Sequence, residues 1–458
     1  MKPNIILINC DDLGYGDLGC YGSEVNDTPH LDQLAKEGMR FTDFYMASPV
    51  CSASRAAMMT GCYSQRIGFA DYQVLFPGQK QGLNPNETTV AKKLKEVGYD
   101  TKIIGKWHCG DQPDFLPTNH GFDEYFGIPY SNDMGRQVNN LDKPPLPLMR
   151  NSEVIQQQPD QRGITERYMD ESLQFMRRER NNPFFLYLAH MYVHVPLFVP
   201  KQFLDVSRNG AYGGAVACID WVMGMIEAEL VRLNIKNETL VIFTSDNGSR
   251  ASGEGGSNGS LRGTKAQTWE GGQRVPCIIR WPGKIDAGET CLGIASAIDL
   301  YSTLADLTGF ELPKEKIDSV SLKETLLENK PTKRDVFAYY KNGNLEAIRK
   351  GEWKLHYCKT GWTPEGFKNS VIKELYNLRS DSQESNNLYT ENPEIIKDLE
   401  QESDKFRDIF GDDRLNKVGS EIRPIGEVDN PQPLTKYSED HPYMIAYYDL
   451  ADMPTMFG

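Results

Sequence analysis

Two apolar runs in this chain end abruptly in acidic and amide residues. The run NIILIN leads into Asp11 and Asp12, and the run TLVIFT leads into Asp246 and Asn247. Continuous apolar runs rich in β-branched residues are typical of strands buried in a parallel sheet. Ligand sites of open α/β sheets lie beyond the carboxyl ends of such strands. The pattern therefore predicts one site that contains both polar pairs.

Helical segments lie between these two runs. Residues 28–38 (TPHLDQLAKEG) begin with a threonine cap and a proline and stop at a glycine, and residues 88–98 (TTVAKKLKEVG) repeat the scheme. The run FFLYLA at 184–189 predicts another buried strand, which leads into His190 and His194. Alternating strands and helices as far as about residue 310 predict a doubly wound α/β domain.

The pattern changes near residue 310. Residues 310–335 are charged and irregular, as in a linker. Asparagine-glycine and lysine-glycine turns then indicate short antiparallel strands at Val336–Tyr340, Leu345–Arg349 and Trp353–Tyr357. Residues 392–410 predict one amphipathic helix that covers this sheet, and the tail that follows is predicted to wrap the surface. We predict a main domain at 1–335 and a C-terminal subdomain at 336–458.

Composition excludes several classes of protein. With 50 Lys and Arg against 64 Asp and Glu, the net charge is −14, which does not indicate a nucleic-acid-binding protein. No apolar run approaches the roughly 18 residues that span a bilayer, so no membrane contact is expected. No signal peptide precedes the first strand, which predicts a cytoplasmic protein, or a periplasmic or secreted one if a signal was removed. The nine scattered cysteines predict buried free thiols, with Cys51 as the exception.

The most informative segment is CSASRAAMMTG, which begins at Cys51. Pro49, together with Ser52 or Ser54, predicts a helix start, and the final glycine predicts its end. Cys51 would then lie at a helix N-terminus, where free N–H groups favour an anion. Arg55, one turn later, would lie on the same face. On these residues alone, a capped helix with an incidental cysteine explains the segment equally well.

This segment resembles the signature Cys-x-Pro/Ala-x-Arg of the formylglycine-dependent (type I) sulfatases. Other motifs of that family follow in the expected order, namely NIILINCDDLGYGDLG, GKWH, GFDEYFGIPYS, HVP, SDNG, GTKAQTWEGGQRVP and ELYNL. Within that family, the sequence resembles the group of arylsulfatase A and N-acetylgalactosamine-6-sulfatase. The resemblance implies an alkaline-phosphatase-like α/β fold, in which helices flank a large, mostly parallel sheet. A smaller C-terminal antiparallel sheet with one helix completes that fold.

The resemblance also implies a site. A formylglycine made from Cys51 and a divalent metal, Ca²⁺ first and Mg²⁺ second, would be its cofactors. The implied metal ligands are Asp11, Asp12, Asp246, Asn247 and residue 51. The implied catalytic residues are Cys51, Arg55, Lys106, His108, His194 and Lys265. The implied substrate contacts are Ser131, Asn132 and Asp133. We interpret three further histidines, His30, His120 and His190, as structural.

Within this implied chemistry, one hydroxyl of the hydrated aldehyde attacks sulfur and forms a covalent sulfo-enzyme. His194 and Lys265 are the candidates that protonate the leaving group. His108 would deprotonate the second hydroxyl, which expels sulfate. The expected substrate is a sulfated small molecule, such as an aryl sulfate, or a sulfated glycan end.

Ala53 departs from the commonest form of the signature. The maturation enzyme that uses oxygen generally requires proline at this position, whereas the alanine form resembles substrates of the radical, anaerobic maturation enzyme of bacteria. We therefore predict a bacterial source and a maturation enzyme of the radical type as a partner.

Two alternatives remain open from the sequence. A phosphodiesterase or phosphonate monoester hydrolase of the same superfamily could use a similar site, although the additional Asp and His ligands of two-metal phosphatases are not evident. A calcium-dependent protein that only binds sulfated glycans would be expected to lack the cysteine, a catalytic lysine or a histidine, and all of them are present.

Overall fold

A computed structural model describes residues 2–137, 141–251, 253–358 and 371–443. The strands are β1 Asn4–Cys10, β2 Met39–Phe41, β3 Phe44–Tyr45, β4 Gln81–Gly82, β5 Asp100–Gly105, β6 Glu124–Gly127, β7 Pro147–Arg150, β8 Glu153–Gln157, β9 Phe184–Ala189, β10 Thr239–Ser245, β11 Cys277–Arg280, β12 Glu289–Cys291, β13 Ala295–Ser296, β14 Val336–Lys341, β15 Asn344–Lys350, β16 Trp353–Cys358, β17 Val371–Asn377, β18 Gly411–Asp412, β19 Lys417–Val418 and β20 Gly426–Glu427. The helices are α1 Pro29–Glu37, α2 Cys51–Thr60, α3 Val90–Glu96, α4 Ile164–Met176, α5 Lys201–Leu204, α6 Gly210–Arg232, α7 Glu270–Gln273, α8 Asp299–Thr308, α9 Lys323–Glu328 and α10 Pro393–Phe410.

Ten of the described strands form the central sheet, in the order β12-β2-β11-β10-β1-β9-β5-β6-β7-β8. The middle of the sheet, from β10 to β6, is parallel, and β11, β7 and β8 pair antiparallel with their neighbours. The predicted α/β fold with a large, mostly parallel sheet is therefore confirmed. Because parallel strands end at the same edge, the residues that follow β1, β9, β5 and β10 come together there.

Helices cover both faces of this sheet. Alternate side chains of β1 point to opposite faces, so Ile5 and Leu7 enter one apolar core while Ile6 and Ile8 enter the other. Residues of α2, α3 and α8 belong to the first core, and residues of α1, α4 and α6 belong to the second. The two faces of one strand thus anchor α2, which carries Cys51, on one side of the sheet and the long helix α6 on the other.

The C-terminal part contains the second sheet. Four described strands, β14 to β17, form an antiparallel sheet, and α10 packs against it. The three strands and the helix predicted here are present, whereas β17 was not predicted. Residues 310–335 are not a free linker, because Leu322 and Leu326 are buried in the main core and Asp318 pairs with Arg66 at 2.7 Å. The sequence did not predict this packing, because Leu322 and Leu326 span too few residues to indicate a buried helix.

The tail from Gly411 lies on the main body as far as Tyr443. Strand β20 pairs with β4, and Glu427 forms an ion pair with Lys80. The remainder of the predicted wrapping tail, residues 444–458, lies outside the described residues. The cysteines are free thiols, and all are buried except the half-buried Cys20. Within the described ranges, no helix is both long enough and apolar enough to cross a bilayer.

His120 predicts a measurable dependence of stability on pH. Its ring is buried against Trp107, and neither ring nitrogen has a hydrogen-bond partner among the described residues. Burial lowers the pKa of His120 to about 3. Since the unfolded chain takes up this proton near pH 6.5, the stabilising contribution is present above that pH and decreases between pH 6.5 and 3, by about 1.4 kcal/mol per pH unit.

The substitution His120→Phe should therefore flatten the fall of unfolding free energy between pH 6 and 4 by about that slope. The measurement is urea unfolding over this pH range. The exposed His30 offers the matched control, because His30→Gln replaces a histidine that is not buried. Equal slopes for His120→Phe and the unchanged protein would contradict this interpretation.

Candidate active site

The ends of β1 and β10 place two polar pairs side by side. Cys10 lies opposite Ser245 in the parallel register, so Asp11 and Asp246 follow at the same level of the sheet. The backbone N–H of Asp12 donates to Asp246 Oδ1 at 3.2 Å. Both pairs are buried. The structure thus brings together the two pairs that the apolar runs predicted to share a site.

Two features of the backbone shape this edge of the sheet: a left-handed residue and a close approach of two chain segments. Asp12 has a φ of 62°, in the left-handed region that few residues other than glycine, asparagine and aspartate adopt. Gly248 lies so close to the chain at Gly271 that a Cβ would come within 1.8 Å of its carbonyl oxygen. The glycine of the SDNG motif therefore permits the segment that follows Lys265 to lie against the turn after β10.

Helix α2 begins at Cys51, as the sequence predicted, but its cap differs from the prediction. The N-cap is Val50, which makes no side-chain cap bond. Ser52 and Ser54 lie inside the first turn and serve other contacts. Ser52 Oγ accepts from the N–H of Leu75 at 3.0 Å, and Ser54 Oγ donates to the carbonyl of Asp246 at 2.6 Å. These serines fix the helix against the site instead of capping it, because packing on the sheet already determines where the helix starts.

Cys51 and Arg55 point from α2 into the carboxylates. Cys51 Sγ lies 3.6 Å from Asp11 Oδ1, and Arg55 Nε donates to Asp246 Oδ2 at 2.8 Å. Arg55 Nη1 also donates to the carbonyl of Lys106 at 3.1 Å. Burial raises the pKa of the Cys51 thiol well above its ordinary value. An unmodified Cys51 would therefore be protonated at neutral pH, and a thiol is a poor nucleophile.

The ends of β5 and β9 supply the next group of side chains. Lys106 Nζ donates to Asp11 Oδ2 at 2.5 Å and lies 3.2 Å from Ser131 Oγ. Ser131 Oγ in turn lies 3.3 Å from His194 Nε2, which is 3.8 Å from Asp12 Oδ2. Lys265 Nζ lies 2.9 Å from the Asp12 carboxylate and so closes a ring of contacting side chains, called the ring below. These contacts join residues from five separate parts of the chain.

The charges inside this ring balance. Three buried carboxylates (Asp11, Asp12 and Asp246) face three buried cations (Arg55, Lys106 and Lys265). Burial alone would raise the pKa of Asp11, but Lys106, His194 and Arg55 outweigh it and hold that pKa well below its ordinary value. Burial raises the pKa of Asp246 to about 7, so this carboxylate needs further positive charge to stay ionised.

A divalent ion fits these residues. Asp11, Asp12, Cys51 and His194 each offer a ligand atom, and these atoms lie within 4.8 Å of one another. Asn247 Oδ1 is buried and has no hydrogen-bond partner among the described residues. Carboxylate and amide oxygens suit Ca²⁺ and Mg²⁺. One such ion would give the balanced site a net charge of about +2, which suits an anionic substrate.

The other predicted residues lie around this ring. His108 Nε2 bonds to the carbonyl of Leu75 at 3.0 Å, which requires a proton on Nε2 and leaves Nδ1 as a base without a described partner. Burial, and then Lys106, lower the pKa of His108. The Asn132 amide donates to Gln161 and to the carbonyl of Pro196, so it braces the loop. The backbone carbonyl of Asp133 accepts from the Gln137 side-chain amide at 3.1 Å.

Sequence reasoning missed the C-terminal side chains that contact the loop around Lys265. Lys341, Glu346 and Lys354, all from the antiparallel sheet, bond to residues of this loop. In the sequence they occupy a strand-like alternation with apolar residues, as solvent-facing side chains do. Their burial depends on the contact between the two sheets, and no local signal reports it.

Comparison with known proteins gives consistent findings. The family model described as "Sulfatase" matches residues 3–310, and the one described as "N-sulphoglucosamine sulphohydrolase, C-terminal" matches residues 264–408. The chain is 41% identical to N-acetylgalactosamine-6-sulfatase of Rattus norvegicus over 375 residues, 77% of this chain and 71% of that protein. It is 40% identical to human arylsulfatase A over 384 residues, 78% of this chain and 75% of that protein. A solved sulfatase from Pseudoalteromonas sp. superposes with a TM-score of 0.79 at 29% identity, covering 89% of both chains.

Proposed function

We propose, from the premise that this chain belongs to the sulfatase family and is a sulfuric ester hydrolase, that its nucleophile is a hydrated formylglycine made from Cys51. The observation that carries the proposal is the position of Cys51 Sγ, 3.6 Å from Asp11 and close enough to Arg55, Lys106 and Lys265 to interact with their charges. An anionic sulfate fits among these cations, whereas a protonated thiol would not attack it.

The metal would be held by Asp11, Asp12, Asp246 and Asn247, with an oxygen of residue 51 as a further ligand. Such an ion supplies Lewis acidity, which lowers the pKa of a nearby hydroxyl and stabilises charge on the sulfate oxygens. We propose Ca²⁺ for this position and regard Mg²⁺ as the second candidate, because the carboxylate and amide ligands suit both.

The remaining chemistry falls to side chains. Arg55, Lys106 and Lys265 neutralise the sulfate oxygens while a hydroxyl of residue 51 attacks sulfur. His194 or Lys265 donates a proton to the oxygen that leaves with the alcohol. His108 Nδ1 then removes the proton of the second hydroxyl, whose oxygen forms the C=O bond of the restored aldehyde. The bond between the side-chain carbon of residue 51 and the bridging oxygen breaks, and sulfate leaves with that oxygen. The bare Nδ1 of His108 supports this role.

Ser131 would contact the sulfate or its neighbouring oxygen, since it lies between Lys106 and His194. Asn132 and Asp133 remain proposed substrate contacts on the adjoining turn. The alcohol half of the substrate is proposed to be a sugar at a glycan end or a small aryl group. The relatives named N-acetylgalactosamine-6-sulfatase and arylsulfatase A support this range of substrates.

Formation of the aldehyde requires a maturation enzyme. Because Ala53 occupies the position where proline is commonest, we propose a radical, anaerobic maturation enzyme as the partner and a bacterial source. The division into a catalytic domain at 1–335 and a C-terminal subdomain at 336–458 also remains a proposal, as does a cytoplasmic location.

Mass spectrometry of the tryptic peptide Phe41–Arg55 tests the modification. Protein from its native host, or produced together with a radical maturation enzyme, should carry an aldehyde or its hydrate at position 51. An unmodified thiol throughout active protein would overturn the proposal. The same measurement on protein produced without the maturation enzyme serves as the reference.

A sulfate ester should be hydrolysed in preference to the corresponding phosphate ester. A phosphate monoester dianion brings one more negative charge to three carboxylates, and phosphatases with two metals compensate for it. The described residues contain one group of potential metal ligands of this type. Because uncompensated like charges cost several kcal/mol, we expect kcat/KM for nitrophenyl sulfate to exceed that for nitrophenyl phosphate by at least about a hundred-fold. Equal rates, or faster turnover of a phosphate diester, would favour the phosphodiesterase alternative.

A further inference from the structure

The loop of residues 264–270, here the lysine loop, carries Lys265 between two layers of the protein. On one side the N–H of Ala266 donates to the carbonyl of Pro49, two residues before Cys51, at 2.9 Å. The N–H of Lys265 donates to the carbonyl of Ser249 at 2.9 Å. Ala266 has a φ of 66°, a left-handed conformation that is unfavourable for alanine. Neighbouring contacts must therefore hold this turn in place.

The C-terminal sheet supplies contacts on the opposite side. Lys341 Nζ donates to the carbonyl of Ala266 at 2.5 Å, and Lys354 Nζ donates to the carbonyl of Thr268 at 2.9 Å. Thr268 Oγ1 donates to Glu346 at 2.6 Å. On the C-terminal side of Lys265, charged side chains from β14 and β16 thus hold the backbone, and one from β15 holds the Thr268 side chain.

Lys354 has the largest part in this arrangement. Besides the Thr268 carbonyl, its ammonium lies 2.9 Å from Glu270 and 2.9 Å from Glu384, and all three charged groups are fully buried. Glu384 accepts from the N–H of Glu270 at 2.8 Å, and Tyr339 OH donates to Glu270 at 2.8 Å. Lys354 therefore joins the end of the lysine loop to the C-terminal sheet.

A buried ionic group of this kind is a weak source of stability, because desolvation offsets much of the attraction. Its directional bonds nonetheless determine one geometry for the backbone that they hold. We propose that Lys354 is a positioning residue for sulfate ester hydrolysis, which acts through the lysine loop to hold Lys265 Nζ against Asp12 and the bound sulfate. The C-terminal sheet thereby contributes to catalysis without touching the substrate. This inference rests on the proposed role of Lys265.

A double-mutant cycle tests it, with nitrophenyl sulfate as the probe and rates normalised to folded, formylglycine-containing protein. Lys354→Met should lower kcat by about 10- to 100-fold, as expected from a displacement of roughly 1 Å, with a smaller change in KM. Lys265→Ala should lower kcat by about 100- to 1,000-fold. In the Lys265→Ala background, Lys354→Met should have no further effect beyond about two-fold, because its partner in catalysis is already absent.

The control variant is Arg407→Met. Arg407 lies in the same C-terminal part and pairs with Asp412 at 3.1 Å, away from the lysine loop, so its loss should reduce stability but leave kcat unchanged. If Lys354→Met does not fold, Glu384→Gln replaces it in the cycle, since it removes a charge that pairs with the Lys354 ammonium. Equal losses from Lys354→Met in both backgrounds would overturn the positioning role. Full activity of Lys265→Ala would instead remove Lys265 from the proposed mechanism, and the positioning role with it, while the nucleophile at position 51 is tested separately.

Discussion

Replacing Cys51 by alanine should lower kcat for nitrophenyl sulfate by about a million-fold, the loss typical of removing a nucleophile. The variant has neither an aldehyde to hydrate nor a side chain that can form a covalent intermediate. Arg55, Lys106 and Lys265 remain in place, so the variant should still bind sulfate or vanadate. The measurements are steady-state kinetics and a binding titration on the same protein preparation.

Two further variants sharpen this prediction. Cys51→Ser can form a sulfate ester but has no second hydroxyl to expel sulfate, so it should release at most one equivalent of nitrophenol per protein molecule. Cys62→Ala is the matched control, because Cys62 is a buried thiol just beyond the other end of helix α2. Its activity should remain within a few-fold of the original. Substantial turnover by Cys51→Ala would exclude residue 51 as the nucleophile.

Asp246→Asn should weaken binding of the divalent ion by at least about a hundred-fold and lower kcat by about a thousand-fold or more. The substitution preserves shape but removes one of three carboxylate charges. The amide oxygen of the variant could still accept from Arg55, which now donates to Asp246 at 2.8 Å, so the fold should persist. Metal content after dialysis and the thermal stabilisation by added Ca²⁺ report the loss without reference to activity.

In the unsubstituted protein, Ca²⁺ at a hundred times its Kd should add about 2.7 kcal/mol to the unfolding free energy. Asp246→Asn should lose most of this gain. Asp220→Asn is the control, because Asp220 is another buried carboxyl that is not among the proposed ligands, and its oxygen accepts from the N–H groups of His30 and Leu31. Unchanged Ca²⁺ stabilisation in Asp246→Asn would contradict the proposed metal site.

Some elements were predictable because their determinants are local. Strand β1 and helix α2 were both expected within a residue or two of their observed bounds, since an apolar run and a closing glycine identify them. The same holds for the amphipathic helix α10. Ser52 and Ser54 were misinterpreted as caps because sequence spacing cannot tell a serine that caps a helix from one that bonds to a neighbouring loop.

The sequence by itself determined the alternation of strands and helices, the polar pairs at the strand ends and the position of Cys51 at the start of a helix. The sequence also predicted that the two polar pairs share a site, but only the tertiary structure decided which of their atoms meet. The parallel register of β1 with β10 places Asp12 beside Asp246, although 234 residues separate them. The tertiary structure also decided that Lys354, a lysine in a short strand, is buried against the lysine loop. Local patterns arise from each residue's own backbone and burial preferences, whereas these contacts arise from how whole sheets pack, and no short stretch of sequence contains that information.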